Sequence, residues 1–217
     1  MNILLKRAAI GLVALAVLLP ASLAATAQET SGKKLYLTRT CIACHGKDGA
    51  KAIQAYPHLA GLPKGYLHEQ VKAITAGERV SGPDARGFPR TEAMRAVMNV
   101  VNDDEVKAIV EWLSTLPPPP IVQGDPEKIA RGAELFAKIG CQACHGDAGR
   151  APLEGFGFPI IAGQKRDYLL LQIKEIRDGV RKNGQASAMA QVVEHVSDAD
   201  AEALAEYLSS TARLAPQ

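Results

Sequence analysis

Between Tyr66 and Ala76, and again between Tyr168 and Arg177, apolar side chains return every three or four residues, a spacing that gathers them on one helix face. Each stretch runs into a glycine suited to a helix C-terminus, Gly77 or Gly179. Two later stretches behave alike. Val106, Ile109, Val110 and Leu113 form one stripe, and Ala201, Leu204, Ala205 and Leu208 form another. Each is entered through a capping residue, Asn102 or Ser197, with an acid three positions on at Glu105 or Asp200, close to a capping box. The connections 46–63 and 146–163 are rich in Gly and Pro and carry no strand alternation. The pattern predicts an all-α chain, and its long connections need something to pack against.

The elements pair because the chain repeats itself. Gly32, Leu35 and Tyr36 answer Gly132, Leu135 and Phe136, and Pro57-His58-Leu59-Ala60-Gly61 answers Pro159-Ile160-Ile161-Ala162-Gly163. Tyr66-Leu67 with Gln70, Lys72, Ile74, Gly77 and Arg79 answers Tyr168-Leu169 with Gln172, Lys174, Ile176, Gly179 and Arg181. Residues 92–116 then align with 187–211 without gaps. Two repeats of domain size make a tandem pair and not a solenoid. Pro117-Pro118-Pro119-Pro120, followed by Gly124 and Pro126, reads as an extended, semi-rigid spacer. The expected organisation is a leader at 1–27, a first domain at 28–116, a Pro-rich linker at 117–126 and a second domain at 127–217.

The leader reading rests on Lys6 and Arg7, an apolar run at 8–19 and a small-x-small cleavage pattern at Ala25-Thr26-Ala27. The run is shorter than the ~20 residues that span a bilayer. Export to the periplasm is expected, with a mature chain starting near Gln28.

All four cysteines fall in two pentapeptides, Cys41-Ile42-Ala43-Cys44-His45 and Cys141-Gln142-Ala143-Cys144-His145. Cys-x-x-Cys-His is the spacing of a c-type haem attachment site. On one helical turn the two thiols and the histidine share a face, so both sulfurs can reach the vinyl groups of one porphyrin while His45 or His145 meets the iron. A thiol–disulfide redox pair would want a βαβ context. A zinc site would want two further ligands within each repeat. Paired disulfides would give no reason for the histidines. Two covalently attached haem c groups are the expectation, on Cys41, Cys44, Cys141 and Cys144. Aromatic content of 5% agrees, since a porphyrin in each half supplies bulk that aromatic side chains otherwise bring to a core.

The formal charge is +2, and loss of Lys6 and Arg7 with the leader brings the mature chain near zero. No basic patch or interleaved aromatic–basic pattern points to nucleic acid.

With these residues in view the chain resembles the di-haem cytochrome c4 family, two tandem class I cytochrome c domains each wrapped around one haem. The resemblance rests on the two haem sites, the Pro-x-x-Ala-Gly segments, the Tyr-Leu-x-x-Gln helices and a methionine before an Asp-rich capped last helix, and it covers nearly the whole mature chain. It implies that first and last helices cross at a small residue, placing Gly32 and Tyr36 near Trp112, and Gly132 and Phe136 near Tyr207. It implies a sixth iron ligand from methionine. Met94 aligns with Met189, so both become metal ligands beside His45 and His145; Met98 aligns with Val193 and competes as a core filler. His58, His68 and His195 lack histidine counterparts and are expected at the solvated surface. The resemblance also implies a proline carbonyl behind each iron-bound histidine: Pro57 in the first half, and Pro159 or Pro152 in the second.

The implied function is single-electron transfer without catalysis. Expected partners are redox proteins: a quinol–cytochrome c oxidoreductase or a dehydrogenase as donor and a terminal oxidase as acceptor, with room for peripheral membrane association. Two other readings stand beside it. One is an electron-transfer subunit held in a larger dehydrogenase complex; the other is a di-haem enzyme such as a peroxidase.

Overall fold

Asn102 opens a helix as its sequence requires. Its side chain accepts from Glu105 N–H at 3.0 Å while the Glu105 carboxylate accepts from Asn102 N–H at 3.1 Å. This reciprocal box satisfies two donors that a helix start leaves open. In the second half Ser197 likewise accepts from Asp200 N–H. The computed structural model describes residues 31–84, 86–152, 155 and 157–214, so the expected leader lies outside them.

The first half runs α1 (31–38), α2 (Ile42–His45), α3 (Lys64–Thr75), α4 (Arg90–Met98) and α5 (Asp103–Thr115). The second repeats the order with α6 (Pro126–Ile139), α7 (Gln142–His145), α8 (Arg166–Arg177), α9 (Ala186–Val193) and α10 (Asp198–Ser210). The described residues form no strand beyond an isolated bridge between Pro83 and Pro89. The helices read from periodicity are α3, α5, α8 and α10; α3 and α8 each begin two residues earlier than the apolar pattern, because a turn's first residues carry no stripe.

The helix crossings leave no room for a side chain. A Cβ on Gly32 would lie 2.3 Å from Ala108 O and 2.6 Å from Trp112 Cβ; on Gly132 it would lie 2.1 Å from Ala203 O and 2.6 Å from Tyr207 Cβ. Beside the crossings Tyr36 meets Trp112 at 5.1 Å between ring centroids and Phe136 meets Tyr207 at 5.7 Å. Each half buries its own apolar cluster, around Tyr36, Trp112 and Leu113 in the first and around Phe136, Leu204 and Leu208 in the second.

The proline stretch is not a free spacer. Gly61 approaches Pro118 and Pro119 is buried, while Val122 O accepts from the Ser210 hydroxyl and Asp125 N–H donates to Glu206, so the linker leaves along the first half and ends against the second. The chain then re-enters helix at Asp125, which caps α6 ahead of Pro126.

The halves join through two polar seams. In the first, Arg79 donates to Gln70 Oε1 at 2.8 Å and Arg181 to Gln172 Oε1 at 2.6 Å. Each arginine also donates across to the other half's glutamine, both at 3.1 Å. This quartet obeys a pseudo-two-fold axis. Its surroundings do not. Arg79 donates to the Tyr168 hydroxyl at 2.6 Å, and buried Glu175, whose counterpart is Ala73, accepts from Gly82 N–H at 2.6 Å and from Gln172 Nε2 at 2.9 Å. Gly82 belongs to a loop that makes Arg79–Glu92 seven residues longer than Arg181–Ser187. In the second seam Arg213 donates to the carbonyls of Ala162 and Ala60, Lys165 donates to Ala52 O, and Gln164 pairs with the backbone of His58.

Candidate haem sites

Each attachment turn is a single helical turn, α2 or α7, closed by Gly46 or Gly146 at φ 72° and 69°. A Cβ at Gly46 would strike Lys51 O at 2.2 Å, and at Gly146 it would strike Ala151 O at 1.9 Å. The glycines therefore let the following loop fold back beneath the histidine. In the first half the Tyr36 hydroxyl donates to Gly46 O at 2.7 Å and ties α1 to this turn; Phe136 leaves that bond out of the second.

His45 Nδ1–H donates to Pro57 O at 3.0 Å, and His145 Nδ1–H to Pro159 O at 2.9 Å. The two-residue difference in loop length does not disturb the match, so Pro159 and not Pro152 is the acceptor. Fixing Nδ1 as donor fixes the tautomer and leaves Nε2 as the ring atom free to ligate a metal. Burial pushes both histidines below their ordinary value, against the raising effect of the proline bond. A neutral ring with a free Nε2 is the form that binds iron. Burial raises the Cys41 and Cys141 thiols to about 11, and that of Cys44 upward as well. These are poor thiolates for redox exchange. All four cysteines are unbridged, and no group of three metal-ligating His, Cys, Asp or Glu side chains exists among the described residues. The disulfide and zinc readings find no support.

Cys41, Cys44, His45 and Met94 converge on one largely apolar cleft of about 1260 Å³, its open mouth included. Arg79 and Arg90 are the cations of its wall, suited to the carboxylates of a haem. Burial works against the Arg79 charge, but Tyr168, Tyr66 and Glu175 outweigh it and hold the guanidinium above its usual range. Met94 on α4 is half-buried at the wall; Met98, one turn on, is 7% exposed, packs in the first apolar cluster and also reaches the cleft. In the second half Cys141 and Met189 pack against one apolar cluster, and His145 is buried. These donors and this shape fit a covalently held haem.

Two of the three remaining histidines take the places expected. His195 is exposed, and His68 donates to Asp103 at the surface. His58 is a correction. It lies half-buried in the second seam, where its Nδ1 accepts from Ala52 N–H at 3.3 Å, because the second half covers it. The larger omission from the sequence reading is that Tyr168, Gln172 and Glu175 of the second half help wall the first half's cleft. For Tyr168 and Gln172 the repeated Tyr-Leu-x-x-Gln identities were the available signal; Glu175 had none.

Comparison with known proteins agrees with this geometry. The cytochrome c family profile matches twice, over residues 30–117 and 129–212. The thiosulfate dehydrogenase electron acceptor of Stutzerimonas stutzeri (strain A1501) is 31% identical over 85% of this chain and 88% of its own. Cytochrome c4 of Stutzerimonas stutzeri is 31% identical over 77% of this chain and 82% of its own. The crystal structure of reduced recombinant cytochrome c4 from Pseudomonas stutzeri superposes with a TM-score of 0.69 at 28% identity, covering 85% of this chain and 98% of that one. Two tandem domains, each with a Cys-x-x-Cys-His turn under a proline-anchored histidine, carry two covalently bound haem c groups for electron exchange with redox proteins, and the chain belongs to the cytochrome c family as a di-haem electron-transfer member of the cytochrome c4 type.

Proposed function

We propose that the chain is an exported, non-catalytic relay in which His45 and Met94 hold one iron and His145 and Met189 the other. The observation that carries this reading is the convergence of Cys41, Cys44, His45 and Met94 on one cleft, with the His145–Pro159 bond and Met189 answering in the second half. Each bound haem supplies one reversible ferric–ferrous couple. The chain's residues do the rest. The Pro57 and Pro159 carbonyls orient the two rings, and the thioethers favour the reduced metal and raise its potential. Apolar walls limit water. His45 with Met94, and His145 with Met189, would hold each iron between side chains and would leave no place for peroxide or oxygen, which separates this reading from a di-haem enzyme.

The polar seams hold the halves in one arrangement, so an electron entering one half can leave from the other. The leader pattern at 1–27 supports a carrier in the periplasm; among the described residues no helix is long and apolar enough to cross a membrane. The near-zero charge of the mature chain favours docking through local patches. The donor is a quinol-oxidising complex or a dehydrogenase and the acceptor a terminal oxidase. The similarity to electron acceptors of thiosulfate dehydrogenase favours a dehydrogenase as donor and sustains the second reading, a subunit held in a dehydrogenase complex. Redox titration of the purified protein with visible and near-infrared spectra tests the relay: two haems per chain, a methionine–ferric charge-transfer band and no carbon monoxide uptake when reduced are expected. Co-purification with a stable dehydrogenase would select the subunit.

A further inference from the structure

One peptide group links the second half to the first half's iron ligand. Its carbonyl, Pro57 O, accepts from His45 Nδ1–H at 3.0 Å. Its N–H, on His58, donates to Gln164 Oε1 at 2.7 Å. Gln164 is 5% exposed. Its Nε2 donates to His58 O at 2.9 Å and its Oε1 also accepts from Lys165 N–H at 2.8 Å, so both ends of the amide are committed and its orientation is fixed.

The second half has no such link. Leu62 stands where Gln164 would, and the corresponding Ile160 N–H finds no partner among the described residues, although Pro159 O receives His145 in the same way.

We infer that Gln164 is a positioning residue through which the second half sets the reduction potential of the first half's haem and not of its own. An amide whose N–H is bonded is polarised, and its carbonyl becomes a stronger acceptor. A stronger acceptor at Nδ1 makes the imidazole a more basic ligand, which favours the ferric state and lowers the potential. The inference rests on His45 being the iron ligand. It makes the first haem's potential a reporter of domain docking, since Gln164 reaches His58 only while the seam is closed.

The test uses the full holoprotein, with the two ferric sites followed separately by their hyperfine-shifted NMR signals during redox titration. In Gln164→Leu the first-half midpoint is expected to rise, so that this site is mostly reduced at the potential where the unaltered protein is half reduced, while the second-half midpoint stays. Gln164→Glu, which keeps and strengthens the acceptor, is expected to move the first-half midpoint down. Arg213→Lys keeps the charge but removes the fork between Ala60 and Ala162, a separate contact of the same seam, while the Gln164 and Lys165 bonds still hold it closed; it is expected to leave both midpoints in place. Equal shifts at both sites, no first-half shift in Gln164→Leu, or the same rise in Arg213→Lys would overturn the inference. An unaltered protein whose first iron is not low-spin and six-coordinate would sink the ligand reading itself, before any variant is compared.

Discussion

Thr40 and Gly140 hold the same left-handed backbone, φ 62° and 86°, directly before the first cysteine of each attachment turn. Only the glycine adopts it freely; a β-branched residue there carries a cost of about 1–2 kcal/mol. Thr40→Gly should therefore stabilise the first half, by about 1 kcal/mol at most once the greater freedom of glycine in the unfolded chain is subtracted. Thermal unfolding of the holoprotein measures it, and a lower midpoint would contradict the strain.

At the α6–α10 crossing the opposite holds. Gly132→Ala puts a methyl 2.1 Å from Ala203 O, against backbone that cannot turn away. The helices must separate, with a loss of about 1–3 kcal/mol or more. Chemical denaturation followed at the second haem should show the loss, and Gly32→Ala should do the same for the first.

Met94, Met98 and Met189 separate by kind of damage. Met94→Ala and Met189→Ala should each open one iron to carbon monoxide and lower that site's potential, with little loss of fold. Met98→Ala should cost about 2–5 kcal/mol as a core cavity while the iron stays closed. Carbon monoxide difference spectra and unfolding curves on the same three proteins decide it; uptake in Met98→Ala alone would exchange the roles of the two first-half methionines.

His58 gives the fold a pH dependence. Burial, then Lys165, Arg213 and His45, depress its pKa from 6.5 to about 4. Between those values the unfolded chain binds a proton that the folded one refuses, so stability rises with pH across the window and falls as pH drops from 6.5 toward 4. Measured against His58→Gln, the unaltered protein should lose more stability over that interval. Parallel pH profiles would exclude His58 as a contributor.

What the sequence disclosed was whatever both halves share. The haem turns, the glycine crossings, the capped last helices and the proline acceptors each occur twice, and the duplication made them legible. Gln70, Arg79, Gln172 and Arg181 were visible as identities but carried no meaning, because nothing local tells a buried interface arginine from a solvated one. Gln164, Glu175 and His58 have Leu62, Ala73 and Ile160 as counterparts, so they stood out from no pattern. Their roles exist only once two surfaces distant in sequence meet.

Glu175 makes the pairing directional. It is met by Gly82 N–H from a loop that only the first half possesses, and its counterpart Ala73 has no carboxylate to offer. A chain assembled from two copies of the second half would bring in two such acids with no loop to receive either. One built from two first halves would offer two loops and nothing to grip. The halves began alike but are no longer interchangeable, and their mating surface survives only as a matched, handed pair.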